Sequence, residues 1–179
     1  MKILVTSDTH MFNDYLEDLI KHYQNNIDLW IHCGDSSLPR NSPLLKNFQI
    51  IVKGNHDETD FPIYETYQDI YITHGNVDNV YAGYDQLIQQ CTNHHCHLCF
   101  HGHTHVPTVQ KINDITFINP GSLMINRGSY GYGTYAIVEK KQNSINIQFF
   151  HHQTHQECSW DIIEEGYTLL KEFQSYVKK

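Results

Sequence analysis

Short apolar runs alternate with stretches of helical period from the first residues of the chain. Ile3, Leu4 and Val5 lie consecutively within residues 2–7, ahead of a polar turn, which predicts a short buried strand. Over residues 12–24 the period changes. Phe12, Leu16, Leu19, Ile20 and Tyr23 recur at helical spacing, with Asp14, Glu17, Asp18 and Lys21 on the opposite face. Residues 28–33 and 48–53 return to short apolar runs, each followed by a glycine. Residues 68–73 read as a further strand, 84–91 as a second helix, and 97–101 as a strand ending at Gly102.

The second half is β-rich. Within residues 108–150 the segments 116–118, 132–139 and 145–150 are strand-like and separated by turn formers. A closing helix is expected over residues 162–177, where Ile163, Tyr167, Leu170, Phe173 and Val177 share a face. There is no internal repeat or low-complexity linker. The pattern predicts mixed strands and helices, with the helices outside the sheets. A chain of 179 residues, 40% of them hydrophobic, has the material for a single domain over residues 1–179.

Charge narrows the function. Lys and Arg number 12 against 20 Asp and Glu, a net charge of −8, and no basic cluster is present to displace counterions from a phosphate backbone. Non-specific nucleic-acid binding is therefore excluded. The first residues turn polar too soon for a signal-peptide core and no apolar run is long enough to span a bilayer, so a cytoplasmic location without membrane association is expected. Five cysteines, an odd number, are expected as free thiols. Histidine, with 14 residues, outnumbers Lys and Arg combined and points to metal or proton chemistry.

Five motifs fall just after apolar runs: Asp8-Thr9-His10, Gly34-Asp35, Gly54-Asn55-His56-Asp57, Thr73-His74-Gly75 and Gly102-His103-Thr104-His105. Loops at one edge of a sheet would bring them together. Their Asp, Asn and His side chains offer oxygen and nitrogen donors that suit Mn, Fe, Ni or Zn. Asp8 and His10 stand two apart, as do His103 and His105, and in extended backbone such pairs project to one side. The two oxygens of Asp35 suit a ligand shared between cations. Alone, Asp8-Thr9-His10 would read as a helix-capping turn and Gly34-Asp35 and Thr73-His74-Gly75 as ordinary turns, whereas the Gly-His-Thr-His run has little structural reason to exist without a metal; the ordered recurrence of the motifs carries the metal reading. A rival zinc site is offered by Cys91, His94, His95, Cys96, His97 and Cys99, although Cys91 and Cys96 are poorly spaced and Cys99 lies in an apolar run as a small hydrophobe. His151, His152 and His155 are expected at an exposed strand end, His22 on a helix surface, and His32 and Cys33 in packed positions. Arg127 follows the turn at 119–122 and could meet a substrate phosphate, but such an arginine is more often a surface residue, and it is left out of the site.

This motif set resembles the calcineurin-like metallophosphoesterases, and among them the small bacterial and archaeal phosphodiesterases. Residues 8–105 carry the likeness, and Asn119-Pro120-Gly121-Ser122 fits it. The resemblance implies an α/β (α+β) fold, a four-layer αββα sandwich of two mixed β-sheets flanked by helices, with the site at the top of the sheets. It implies Asp8, His10, Asp35 and His105 around one metal, and Asp35, Asn55, His74 and His103 around the other. His56 would be the catalytic acid, with Asp57 available to orient its ring. The implied enzyme is a hydrolase of phosphoric esters, cleaving a small phosphodiester with a hydroxide that bridges two divalent metal ions. Manganese (Mn2+) is the expected ion, with Zn2+, Fe2+ or Ni2+ as alternatives. Two divalent cations against Asp8 and Asp35 leave +2, or +1 with the hydroxide, a cationic centre in an acidic protein. The sequence lacks the Asp-Arg-Gly continuation after Gly34-Asp35 that marks the protein Ser/Thr phosphatases of this superfamily, which disfavours that activity. The alternatives are a phosphomonoesterase of the same fold, which His56 in place of a cysteine favours, and a non-catalytic scaffold resembling the retromer subunit. The expected partner is a small phosphoester substrate; homo-oligomer formation is open.

Overall fold

In the computed structural model, which describes residues 1–142 and 144–177, ten strands form two mixed five-stranded sheets. The first sheet has the order β10-β9-β1-β2-β3, from β1 (Lys2–Thr6), β2 (Leu29–His32), β3 (Ile50–Ile51), β9 (Thr134–Lys140) and β10 (Ile145–His151). β1, β2 and β3 run parallel, with Val5 opposite Ile31 and Ile31 opposite Ile50, while β9 and β10 are antiparallel additions. The second sheet has the order β4-β5-β6-β8-β7, from β4 (Tyr64–Tyr67), β5 (Ile70–Thr73), β6 (Leu98–Phe100), β7 (Thr108–Ile112) and β8 (Ile115–Asn119). Its β5, β6 and β8 are parallel.

Side-chain alternation explains the layers. Ile3, Val5 and Ile31 of the first sheet meet Ile70, Ile72, Leu98, Phe100 and Ile118 of the second in a core between the sheets. Leu4, Trp30, Tyr135 and Ile137 face the other way and are covered by Leu16, Leu19 and Tyr23 of α1 (Asn13–Tyr23). Tyr71, Cys99 and Phe117 are covered by Leu87 and Cys91 of α2 (Asp85–Asn93). Each fully buried aliphatic side chain here contributes about 1.5–3 kcal/mol relative to exposure. α3 (Ser159–Val177) is not a simple outer layer: it packs on both β7 and β10, edge strands of different sheets, and sends Ile162 into the inter-sheet core. No described helix is long and apolar enough to cross a membrane.

Two sequence readings change. β4 was not foreseen, because all four residues of Tyr64–Tyr67 are exposed on an edge and show no buried face. His152 is buried rather than exposed, its Nδ1 2.6 Å from the Leu123 carbonyl, and His155 is tied to Tyr135 and Asp18. The Cys91–Cys99 stretch holds no zinc cluster among the described residues: its three cysteines are buried and free, and the His94 ring packs on Tyr64 and Tyr71 instead. His22 is exposed on α1, as expected.

Candidate metal centre

The five motifs occupy the loops that leave the carboxyl ends of β1, β2, β3, β5 and β6, the edge at which parallel strands place ligand sites. Main-chain bonds stitch these loops together: the Asp8 N–H donates to the Gly34 carbonyl at 3.0 Å, His10 to Asp35 at 3.0 Å, and Gly102 to His74 at 3.0 Å. Gly102 is there because its neighbours leave no room for a side chain. A Cβ at this position would lie 1.9 Å from Ser7 Oγ and 2.7 Å from Asp8 Oδ2.

Among the described residues, metal-binding atoms of three or more Asp, Glu, His or Cys converge in two groups, Asp8–His10–His105 and Asp8–Asp35–His74. His105 Nε2 lies 3.1 Å from Asp8 Oδ1, and His74 Nε2 lies 3.4 Å from Asp35 Oδ2 and 3.9 Å from Asp8 Oδ1. His10 Nε2 is 4.0 Å from both carboxylates and 3.3 Å from His105 Nε2. By proximity the carboxylate common to both groups is Asp8, with Asp35 reaching His10 as well as His74. His103 adjoins them, its ring centroid 5.0 Å from that of His74 and its N–H donating to Asp8 Oδ2 at 3.1 Å. Asn55 is exposed at the turn after β3. His56 is exposed, its ring 5.3 Å from that of His10.

The same-side argument for extended residues two apart does not apply. Asp8, His10, Asp35, His103 and His105 all have positive φ, between 47° and 69°. These left-handed conformations, sparsely populated for residues other than glycine, cost about 1–3 kcal/mol each and concentrate where side chains must converge.

The His74 Nδ1–H donates to the Cys33 carbonyl at 2.7 Å, which turns Nε2 toward Asp8 and Asp35, and against its burial these carboxylates raise the pKa of the ring above its ordinary value. That buried Nε2 has no hydrogen-bond partner, nor has the buried Asp8 Oδ1. Unpartnered buried polar atoms are costly, and here they lie between two carboxylates and three imidazoles, a donor set that suits a divalent cation. Burial alone would raise the Asp8 pKa, yet His105 and His74 hold it well below the usual carboxylate range. Asp35 is likewise lowered, against its burial, by His74 and by the His56 N–H. Burial, reinforced by His74, pushes His103 down to about 4.

Residues 1–143 match the family model for the calcineurin-like phosphoesterase superfamily domain. The chain belongs to this family. It is 32% identical over 157 residues to a Mycoplasma pneumoniae protein named "Probable metallophosphoesterase", an alignment covering 84% of this chain and 96% of that one. A conserved Streptococcus pneumoniae protein described as a predicted phosphoesterase has a crystal structure that superposes with a TM-score of 0.82 at 29% identity, covering 89% of this chain and 93% of that chain. The structure of Vacuolar Protein Sorting 29 from Cryptosporidium parvum superposes with a TM-score of 0.69 at 20% identity, over 88% and 94% of the two chains, and so shares the fold. Calcineurin-like phosphoesterases are metal-dependent, and the carboxylate and imidazole cluster of this member fits that requirement.

Supporting residues of this family member were hidden from the sequence reading by their long range. Asp57 does not orient His56. Its buried carboxylate accepts from the N–H groups of Asp35 at 2.8 Å, Ser37 at 2.7 Å and Gly54 at 2.9 Å, and from Ser36 Oγ at 3.1 Å, tying the second motif to the third. Thr9 caps no helix: its hydroxyl meets His32 Nε2 at 2.7 Å, while His32 Nδ1 accepts the Gly34 N–H at 3.2 Å, so this buried imidazole is neutral. Ser122 Oγ donates to the Asp8 carbonyl at 2.9 Å, and Asn119 Nδ2 donates to the Gly102 carbonyl and to Thr104 Oγ1, each at 2.9 Å. The Asn119–Ser122 turn, noticed only for its likeness to the family, braces the first and last motifs.

A hollow of about 520 Å³ opens beside His10 and His56, lined also by Met11, Leu38, Pro39 and Glu58. A larger hollow of about 780 Å³ lies by Arg40, Lys46, Phe48, Glu65 and Tyr67, and none of the motif residues lines it.

Proposed function

We propose that this protein is a phosphodiesterase that hydrolyses a small phosphodiester at a pair of divalent metal ions, with manganese the expected ion. The observation that carries the reading is the buried, unpartnered pair Asp8 Oδ1 and His74 Nε2 among further carboxylate and imidazole donors. Asp8, His10, Asp35 and His105 would hold one ion, and Asp35, Asn55, His74 and His103 the other. When bound, two such ions polarise phosphoryl oxygens and lower the pKa of a water.

The chain's own residues do the rest. His74, pinned through Nδ1 to the Cys33 carbonyl, presents Nε2 in a fixed tautomer and orientation. Asp57 and Ser122 hold the loops of Asp35 and Asp8 in place. His56, exposed beside the hollow, donates a ring N–H proton to the leaving ester oxygen as the bond to phosphorus breaks. Met11, Leu38 and Pro39 give the hollow an apolar wall suited to the organic group of the ester.

The test uses protein stripped of metal and reloaded with manganese, assayed on bis-p-nitrophenyl phosphate and p-nitrophenyl phosphate. Turnover of the diester above the monoester is expected, and its abolition by Asp35→Asn or Asn55→Ala with an unchanged circular dichroism spectrum. Full activity in either variant overturns the site. Preference for the monoester overturns the diesterase reading, and absence of turnover on either ester supports the scaffold.

A further inference from the structure

Arg127 is held beside one of the motifs. Its main-chain N–H donates to the His105 carbonyl at 2.9 Å, fixing its position relative to a motif residue. The preceding Asn126 is buried and locked, its side chain accepting from the Ser122 N–H at 2.9 Å and bonding Thr134 Oγ1 at 3.0 Å. The Arg127 guanidinium lies 5.7 Å from the centroid of the Tyr81 ring, within the range of a cation–π contact. That ring is held in turn: its hydroxyl donates to the His103 carbonyl at 3.3 Å, its face meets the His103 ring at 5.1 Å, and Phe173 packs on it at 5.5 Å. Tyr81 therefore props the guanidinium on the His103–His105 flank of the cluster. Arg127 is exposed and, among the described residues, pairs with no carboxylate, so its charge is not neutralised within the chain. The hollow by His10 and His56 differs in kind: it is lined further by Met11, Ser37, Leu38, Pro39, Glu58 and Thr59, with no Lys or Arg.

Resting on the phosphoesterase reading above, we infer that Arg127 is a substrate-binding residue: its guanidinium grips a non-bridging phosphoryl oxygen from the His103–His105 side. The uncharged organic group of the ester then points toward the Met11–Pro39 hollow. The planar fork of an arginine makes two parallel charge-assisted hydrogen bonds to such an oxyanion, which a lysine cannot reproduce. The substrate class selected is a phosphodiester with one phosphoryl group and an uncharged, partly apolar ester group. Esters that would place a second anion in the hollow, beside Glu58, are disfavoured.

Inorganic phosphate is the probe, titrated calorimetrically into manganese-loaded protein, with metal content measured on each sample. Arg127→Ala is expected to raise the phosphate Kd about tenfold or more, and Arg127→Lys to give an intermediate value. Arg40→Ala, which removes an arginine of the other hollow, leaves the Kd unchanged, and metal content is the same in all four proteins. With bis-p-nitrophenyl phosphate, Arg127→Ala raises KM by a larger factor than it lowers kcat. A phosphate Kd within twofold of the unmodified protein for Arg127→Ala overturns the inference, as does loss of metal from that variant or failure of the unmodified protein to bind phosphate. Because phosphate binding needs no turnover, a protein that hydrolyses no ester yet loses phosphate affinity on Arg127→Ala refutes the hydrolase and retains the anion grip.

Discussion

Replacing Asp57 by alanine strikes the site from behind, without touching any proposed ligand. Its carboxylate, 6% exposed, accepts four hydrogen bonds, from the N–H groups of Asp35, Ser37 and Gly54 and from the Ser36 hydroxyl. Hydrogen bonds to a charged group contribute about 1.5–3 kcal/mol each, and a buried donor left without an acceptor costs about 1–3 kcal/mol. Water can enter the space vacated by the carboxylate and the Ser36 hydroxyl can turn, so the net loss should be about 3–5 kcal/mol rather than the sum of four. For a chain of this length 1 kcal/mol corresponds to about 2–4 °C in Tm, giving a fall of about 6–20 °C. The assay is urea and thermal unfolding of the metal-free protein, followed by circular dichroism, so that stability is read apart from metal binding. Asp57→Asn, which keeps one carbonyl acceptor but turns an amide N–H2 toward N–H donors, should fall between. Stability of Asp57→Ala within about 1 kcal/mol of the unmodified protein would refute the view that this carboxylate holds the Asp35 and Asn55 loops together.

Gly102→Ala places a Cβ within 2 Å of Ser7 Oγ and against Asp8 Oδ2; metal content should drop and Tm fall, with about 1–3 kcal/mol lost to overpacking, and retained metal would show that the loop yields elsewhere. His74→Ala removes the imidazole fixed on the Cys33 carbonyl, and manganese bound per chain, measured after equilibrium dialysis, should decrease; full occupancy would refute its place in the centre. Burial pushes His32 down to about 4 from an ordinary 6.5, so between those pH values the unfolded chain binds a proton that the folded chain does not. Stability of the metal-free protein should therefore fall as pH drops through this window, this residue contributing up to about 1.4 kcal/mol per pH unit, and His32→Gln should flatten the slope by about one proton; an unchanged slope would mean that His32 charges in the folded state.

Legibility of this fold depended on whether a residue's partner was local. The apolar runs of β1, β2, β5 and β6 announce strands because their side chains are buried on both faces, and α1 announces itself through Leu16, Leu19 and Tyr23 at helical spacing. β4 escaped notice since an exposed edge imposes no pattern, and the seat of α3 across β7 and β10 depends on how two sheets stack, which no local period encodes. In the site, Asp8, His10, Asp35, His74, His103 and His105 were recognisable by type and order, and the structure brings them together. Their convergence comes from left-handed turns rather than from the extended geometry that suggested it. Asp57, Ser122, Asn119 and Tyr81 each act through a contact far away in sequence, at separations of 22, 114, 15 and 22 residues. Nothing about an Asp beside a His distinguishes a residue that orients the ring from one that ties two loops.

The central claim is a two-ion centre built on Asp8, Asp35 and the histidines around them. Crystals grown with manganese, measured for anomalous scattering at the manganese edge, test it most directly. Two peaks per chain are expected, one among Asp8, His10, Asp35 and His105 and the other among Asp35, Asn55, His74 and His103. A single peak, or peaks remote from Asp35, would contradict it.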